Sequence, residues 1–563
     1  MDSTRWFDKL GQSGSGFWRR LPAGHEGHGP GGEPTQGKTW VHKNLMRPTY
    51  TPKKHQSSFI KSVTSVKQPS VQGSLALHGT GTGKTFSAIG AFEELKGAGK
   101  AQRALVIVPA SLRNNFLDSG VKKFTSSKGR ILSRPEELPA DVEYAVVSYA
   151  AFRRNPKAWI DKVKPDTIIA DEVQRAISES SQTHKSLLWA RKQVPRFMGL
   201  TASPISNEPA EIVPLLQIAS GGTHPLKTRK QFRKEFTAKR TSPTEKGIFG
   251  GKVTQKKVIN FERLKRAVGP SIHYVEDLDA TEKPVKNLTK VPVPMSKEQI
   301  KLYRMAMKGV DPKIVAKIKA GEPVSQRDAM GVFTRLMRAR QASNSLHTVS
   351  RIDPAEAAER TPKIRRIVDE AVAHLEDTPD GQVVMYTNLF HGGVDVLSAA
   401  LKKKGISFGV FAGKGKGGIT EESRQKDVED YQAGKKKVLL ITSAGAEGLS
   451  LGNTTMVQVV DGHYNPERTL QAEARGIRAG GLSHRPVEER KVQVRRYVST
   501  LPKTFWQKVL LKKPEKSVGE WVYSTAEKKE QLNKQLRAAL KARSEHEERR
   551  RDSALYRMTR RNP

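Results

Sequence analysis

The chain has 563 residues and carries 99 Lys and Arg against 57 Asp and Glu, a formal charge of +42; a surplus of that size calls for a polyanionic partner, nucleic acid above all. It has no cysteine, which excludes disulfides, a thiol nucleophile and cysteine-ligated zinc. No apolar run is long enough to span a bilayer, and the first residues lack the apolar stretch of a secretion signal.

Residues 1–48 are rich in Gly, Pro, Ser and His and read as a flexible basic tail. His25 and His28 flank Glu26, but not at the spacing of a metalloprotease. A first lobe is expected over 49–288. An amphipathic helix near Thr51 carries Gln56. Leu75–Leu77 then read as a buried strand, His78–Gly83 as a glycine-rich turn, and Lys84 onward as a helix. That order is the layout of a phosphate-binding loop, formed by Gly79, Thr80, Gly81, Thr82, Gly83, Lys84 and Thr85. The glycines bring backbone N–H groups onto phosphate oxygens, and the helix N-terminus adds partial positive charge there. Lys84 would reach the β- and γ-phosphates of ATP, and the Thr85 hydroxyl would bind Mg²⁺.

Further strands are expected at Leu105–Val108, from Tyr144, at Ile168–Ile169 and at Met198–Leu200. The third of these runs straight into Asp171 and Glu172. Paired carboxylates at the end of a buried strand suit a metal-assisted hydrolysis, with Asp171 on the Mg²⁺ and Glu172 polarising the attacking water. Thr201, Ala202 and Ser203 follow the last strand as a small polar turn. Strands alternating with helices imply a parallel sheet with ligands at the strands' carboxyl ends. A basic insertion occupies about 222–266.

Over 289–361 a crossing strand precedes a helix with capping-box spacing at Ser296 and Gln299, and a helical linker or protrusion follows. A second lobe is expected over 362–500, with strands beginning near Gln382, Ile406, Val438, Val457 and Lys491. The helix after Pro466 places Gln471, Arg475 and Arg478 on one face. In the last segment, 501–563, a long helix carries an apolar stripe of Trp521, Leu532, Leu536 and Leu540 and ends in a charged tail.

HGTGTGKT, VPASLRNNF, VVSYAAF, ADEVQ and LTASPISNEPAEI together resemble the first lobe of the superfamily-two helicase-like ATPases. The likeness is greatest to the Swi/Snf-type DNA translocases, whose Thr-x-x-Pro-x-x-Asn run is matched by Thr201, Pro204 and Asn207. SAGAEGLSL and QAEARGIRAGG are similar to the fifth and sixth motifs of that family. His78 stands where a glycine commonly opens the loop, a form typical of helicase-like ATPases. Gln174, Glu447 and Gly481 depart from the family's usual His, Gly and Gln.

The resemblance implies an α/β fold of two RecA-like parallel-sheet lobes with helical insertions and a C-terminal bracing helix. It implies ATP and Mg²⁺ in the cleft and Gln56 on the adenine edge. It also implies Arg475 and Arg478 as arginine fingers, Gln471 as a γ-phosphate sensor, and Ser443 and Gly448 in a loop between nucleotide and DNA. The implied activity is an ATP-driven, DNA-stimulated motor on double-stranded DNA, gripped mainly through its phosphate backbone. Its expected place is the cytoplasm or nucleoid of a bacterial or viral system, or a nucleus in a eukaryote. Two other readings stay open: a strand-separating DNA or RNA helicase, and a basic DNA-coating scaffold with a vestigial ATPase fold.

Overall fold

The computed structural model describes residues 51–67, 69, 73–202, 204–205, 207–243, 252–268, 271–276, 283–320, 324, 330–413, 415–443, 449, 451–478, 480–502 and 515–560. Two parallel sheets dominate it. The first is built from β1 (Ser74–His78), β2 (Ala104–Val108), β3 (Gly129–Ile131), β4 (Tyr144–Ser148), β5 (Thr167–Asp171), β6 (Arg196–Thr201) and β9 (Ile272–Val275), in the order β3-β4-β2-β5-β6-β1-β9. β1, β2, β4 and β5 are buried along their whole length. Runs such as Leu105–Val108 and Ile168–Ile169 supply apolar side chains to both faces, as a sheet covered by helices on each side requires. β7 (Thr237–Pro243) and β8 (Lys252–Val258) form a separate antiparallel hairpin inside the basic insertion.

The second sheet has β10 (Val285–Pro294), β11 (Gln382–Tyr386), β12 (Phe408–Phe411), β13 (Val438–Ile441), β14 (Thr454–Val459) and β15 (Lys491–Thr500), in the order β10-β15-β14-β11-β13-β12. β10 pairs with β15 without a break from Val285↔Lys491 to Pro294↔Thr500. The boundary expected after residue 288 therefore falls inside a continuous strand, and the chain changes sheets between β9 and β10. The helix Lys297–Met307 follows. It has the expected capping box: Gln299 N donates to Ser296 Oγ (3.2 Å), and Ser296 N to Gln299 Oε1 (3.1 Å).

The C-terminal helix, Val518–Arg560, ties the lobes together. Near its start Trp521 and Val522 pack with Tyr303 and Leu336 of the segment between the lobes. About four turns further on, Leu536 and Leu540 are buried in the first lobe's core beside Phe236 and Leu264. Polar contacts reach both ways. Lys529 Nζ donates to Asn207 Oδ1 (3.0 Å) and to Tyr464 O (3.2 Å), and Val258 N donates to Gln535 Oε1 (2.8 Å). Removing two Leu side chains of this size from water stabilises the docking by about 1.5–3 kcal/mol each.

Candidate nucleotide site between the lobes

β1 ends at His78, and the loop that follows enters α2 (Lys84–Gly97). Gly81 and Gly83 have φ of 80° and 79°, the left-handed region that glycine occupies without strain. A Cβ on Gly83 would also lie 2.4 Å from Gln56 Nε2, so a side chain there would displace the Gln56 amide. The preceding helix, α1 (Lys54–Thr64), clamps the loop from one side. Gln56 Nε2 donates to Thr82 O (3.0 Å), His55 Nε2 donates to the same carbonyl (2.8 Å), and Gln56 Oε1 accepts from Lys53 N (2.9 Å). Gln56 is thus first a strut under the loop. Thr82 Oγ1 donates to Gly79 O (2.8 Å).

Lys84 Nζ donates to His78 O and Gly79 O, both at 3.1 Å. Its ammonium caps carbonyls of its own loop. Burial lowers the Lys84 pKa, Glu172 and Asp171 pull it back up, and Arg478 and Arg475 push it down again. Side chains from both lobes therefore act on one ammonium. Thr85 follows in the first turn of α2, half-buried.

Asp171 closes β5. Its Oδ1 accepts from Glu172 N (2.9 Å), and its backbone carbonyl accepts from Tyr149 OH (2.8 Å). Burial pushes the Asp171 carboxyl well above the usual range, the charge of Glu172 adds to this, and Lys84 opposes it. Glu172 adopts φ of 52°. That left-handed turn, costly for a residue with a Cβ, bends the chain sharply off the strand end. Gln174 Nε2 donates to the Glu172 carboxylate.

From the second lobe comes the helix Pro466–Gly476. Pro466 opens it, and Asn465 Oδ1 caps Glu467 N (3.0 Å). Arg475 Nη1 donates to Leu449 O (3.3 Å), and Arg478 Nη2 to the same carbonyl (2.7 Å). Burial depresses the Arg478 pKa and the Glu172 charge opposes this, so the guanidinium of one lobe senses the carboxylate of the other. Among the described residues Arg478 Nε is buried without a hydrogen-bond partner. A buried cation with an unused donor is costly and suits an anionic ligand. Gln471 lies with Gly79, Thr80, Pro204 and Ala474 around an interlobe cavity of about 440 Å³. The donor set fits a metal-bound triphosphate: glycine-loop amides, one lysine, two arginines and a carboxylate pair.

The structure thus brings together Gln56, the loop from Gly79 to Thr85, Asp171, Glu172, Gln471, Arg475 and Arg478. Ser443 lies exposed just past the end of β13. Gly448 and Ser203 lie outside the described residues. Three features had no signal in the sequence. His78 Nε2 and His273 Nδ1 form a buried 2.8 Å hydrogen bond across 195 positions, and His273 Nε2 continues it to Ser58 Oγ (3.1 Å). Asp461 accepts from Thr387 Oγ1 (2.7 Å) and pairs with Arg340 (2.5 Å) in a buried network behind β14. Glu473, on the arginine-bearing helix, is buried and held by Arg496 Nε (2.6 Å) and by Lys286. Burial works against its charge, but Arg496 and Lys286 overcome it and hold the carboxyl below its usual range. Glu473 therefore fixes the helix that presents Arg475.

Residues 55–348 match the family model of the SNF2-related domain, and residues 363–480 that of the helicase conserved C-terminal domain. The chain belongs to the SNF2-related, Swi/Snf-type helicase-like ATPases of superfamily two. A putative ATP-dependent RNA helicase of Acanthamoeba polyphaga mimivirus is 24% identical over 442 residues, 77% of this chain and 87% of the relative. An uncharacterized ATP-dependent helicase of Bacillus subtilis is 26% identical over 464 residues, 80% of this chain and 76% of the relative. The solved Sulfolobus solfataricus SWI2/SNF2 ATPase core in complex with dsDNA is 17% identical, with 88% of this chain and 98% of that one covered and a TM-score of 0.37. Among the described residues no helix is long and apolar enough to cross a membrane.

Proposed function

We propose that the chain is a double-stranded-DNA-stimulated ATPase that uses hydrolysis to move along duplex DNA or to shift what is bound to it. The observation that carries this reading is the convergence of charge from both lobes: Arg475 and Arg478 bear electrostatically on the same Lys84 that Asp171 and Glu172 oppose. ATP is the substrate. The loop amides from Gly79 to Gly83 hold its phosphates, and Lys84 exchanges its two backbone carbonyls for phosphate oxygens. Gln56, beside the loop, contacts the adenine edge through its amide, which can both donate and accept. Glu172 orients the attacking water and takes its proton. Arg475 and Arg478 exchange the Leu449 carbonyl for the γ-phosphate and neutralise the charge that grows there, an effect worth on the order of a thousandfold or more in rate. Gln471 senses whether that phosphate is present. Mg²⁺, held by Thr85 and Asp171, would supply further charge neutralisation at the phosphates.

Because the arginines and the lysine sit on different lobes, bond cleavage removes the bridge between them. Lobe separation then follows hydrolysis, and a duplex touching both lobes, at Ser443 and the Gly448 loop among other points, is stepped along. The charge of +42 supplies a grip on phosphates that ignores sequence. The test is the steady-state ATPase rate with duplex DNA, single-stranded DNA and RNA at equal nucleotide concentration. Strongest stimulation by duplex DNA is expected. Stimulation by RNA alone, in line with the name of the mimiviral relative, would replace the DNA reading with an RNA one.

A further inference from the structure

Outside the nucleotide cleft, one group of side chains has the composition and spacing of a metal site. His347 sits on the short helix His347–Ser350 of the segment between the lobes. His391 lies in the loop after β11, and Asp395 begins the helix Asp395–Lys403 of the second lobe. One ligand atom from each can be chosen so that all three lie within 4.8 Å of one another. His347 Nε2 is 3.2 Å from Asp395 Oδ2, and His391 Nδ1 is 3.3 Å from the same oxygen. In a tetrahedral zinc site with bonds of about 2.0–2.1 Å, neighbouring ligand atoms are about 3.3 Å apart. The two observed separations match that edge.

The supporting contacts point the same way. His347 Nδ1 lies 2.6 Å from Ile352 O. A carbonyl only accepts, so Nδ1 carries a hydrogen, and Nε2 is the nitrogen turned towards the carboxylate. Asp395 Oδ1 is held by Gly392 N and Val396 N, both at 2.8 Å, which fixes the carboxylate with Oδ2 towards the imidazoles. An outer hydrogen bond that sets the imidazole tautomer and a pinned carboxylate are the second shell that metal ligands require. The loop is also seated on the inter-lobe segment. Asn344 Nδ2 donates to Gly392 O (3.0 Å), and Gly392, at φ of 77°, lets the backbone approach Thr348 where a Cβ would come 3.0 Å from Thr348 Oγ1. His391 is 72% exposed, which leaves a coordination position open to water.

We infer that His347, His391 and Asp395 form a site for a transition-metal dication of the Zn²⁺ class, which pins the β11 loop of the second lobe to the helical segment between the lobes. Two imidazole nitrogens and one carboxylate select such an ion over Mg²⁺ or Ca²⁺, which take oxygen ligands. The site stands apart from the Mg²⁺ expected with ATP.

The test uses the full, tag-free chain in excess Mg²⁺, titrated with Co²⁺ followed by its visible absorption and with Zn²⁺ followed by calorimetry. His391→Ala is the primary variant, because an exposed ring can be removed without disturbing the core; Asp395→Asn is the second. The wild type is expected to take up one ion more tightly than His391→Ala by about tenfold to a hundredfold, with Zn²⁺ displacing the Co²⁺ spectrum. Equal affinity and stoichiometry in wild type and His391→Ala would overturn the inference. So would a wild type that binds neither ion.

Discussion

The two walls of the cleft hold their charges differently. In the first lobe, Lys84 and Asp171 sit where buried strands meet loops, and each already has partners within that lobe: two backbone carbonyls for the lysine, the Glu172 amide for the carboxylate. In the second lobe, Arg475 and Arg478 stand on a helix and the turn after it, and both rest on one carbonyl, Leu449 O. On the proposed reading the first wall is a preformed nucleotide-binding surface. The second is a source of charge on that reading, anchored behind the site by the Glu473–Arg496 pair. Nucleotide binding should therefore depend mostly on the first wall and the speed of hydrolysis on the second.

Lys84→Ala strikes the first wall hardest. Its ATPase rate is expected to fall on the order of a thousandfold, while duplex binding, carried by the overall basic charge, changes no more than a few-fold by fluorescence anisotropy. Near wild-type hydrolysis in this variant would break the comparison. Asp171→Asn should cost on the order of a hundredfold in rate and also make the unliganded protein more heat-stable at alkaline pH. The sign follows from the raised carboxyl: the folded state holds this proton more tightly than the unfolded chain, so its contribution to stability falls as pH rises through that range. Calorimetry without Mg²⁺ or nucleotide should show the variant melting above wild type near pH 8, and the gap closing towards pH 4 where both forms are neutral. A variant that melts below wild type at alkaline pH would contradict the buried charge.

Glu473→Gln tests the anchorage of the second wall. It should lower kcat about tenfold and leave KM for ATP unchanged, because the helix is loosened and the phosphate loop is not. A change in KM alone would make Glu473 part of the binding wall. Gln56→Ala should have the smallest effect, a rise of about threefold in KM for ATP with little change in kcat, since one neutral hydrogen-bonding strut is worth about 1 kcal/mol.

Much of this was legible in the residues. Buried parallel strands announce themselves as short Val, Ile and Leu runs, and their functional ends as the first polar residues beyond: His78 after Leu77, Asp171 after Ala170. The capping box at Ser296 and the apolar stripe from Trp521 to Leu540 were equally readable, because each depends on fixed local spacing. Long-range pairing was not. β10 is exposed over most of its length, with Leu288 45% and Val285 42% exposed, and its partner strand lies some two hundred positions on. Nothing local assigns it to the second sheet. The β7–β8 hairpin begins in TAKRTSP, which lacks the alternation of a half-buried strand. Glu473 looks like any charged residue on a polar helix; only β10 and β15, arriving from elsewhere, bury it. The His78–His273 bond joins the last residue of β1 to the neighbouring edge strand β9, nearly two hundred positions on, and only the parallel register of β1 and β9 brings them together.

The central claim is that hydrolysis needs guanidinium groups from the second lobe at the phosphate held by the first. Single-turnover hydrolysis of prebound ATP on duplex DNA, in Arg475→Ala and Arg478→Ala, tests it most directly. The account predicts ATP affinity within a few-fold of wild type and a chemical step slowed on the order of a thousandfold. A chemical step at the wild-type rate in either variant would contradict it.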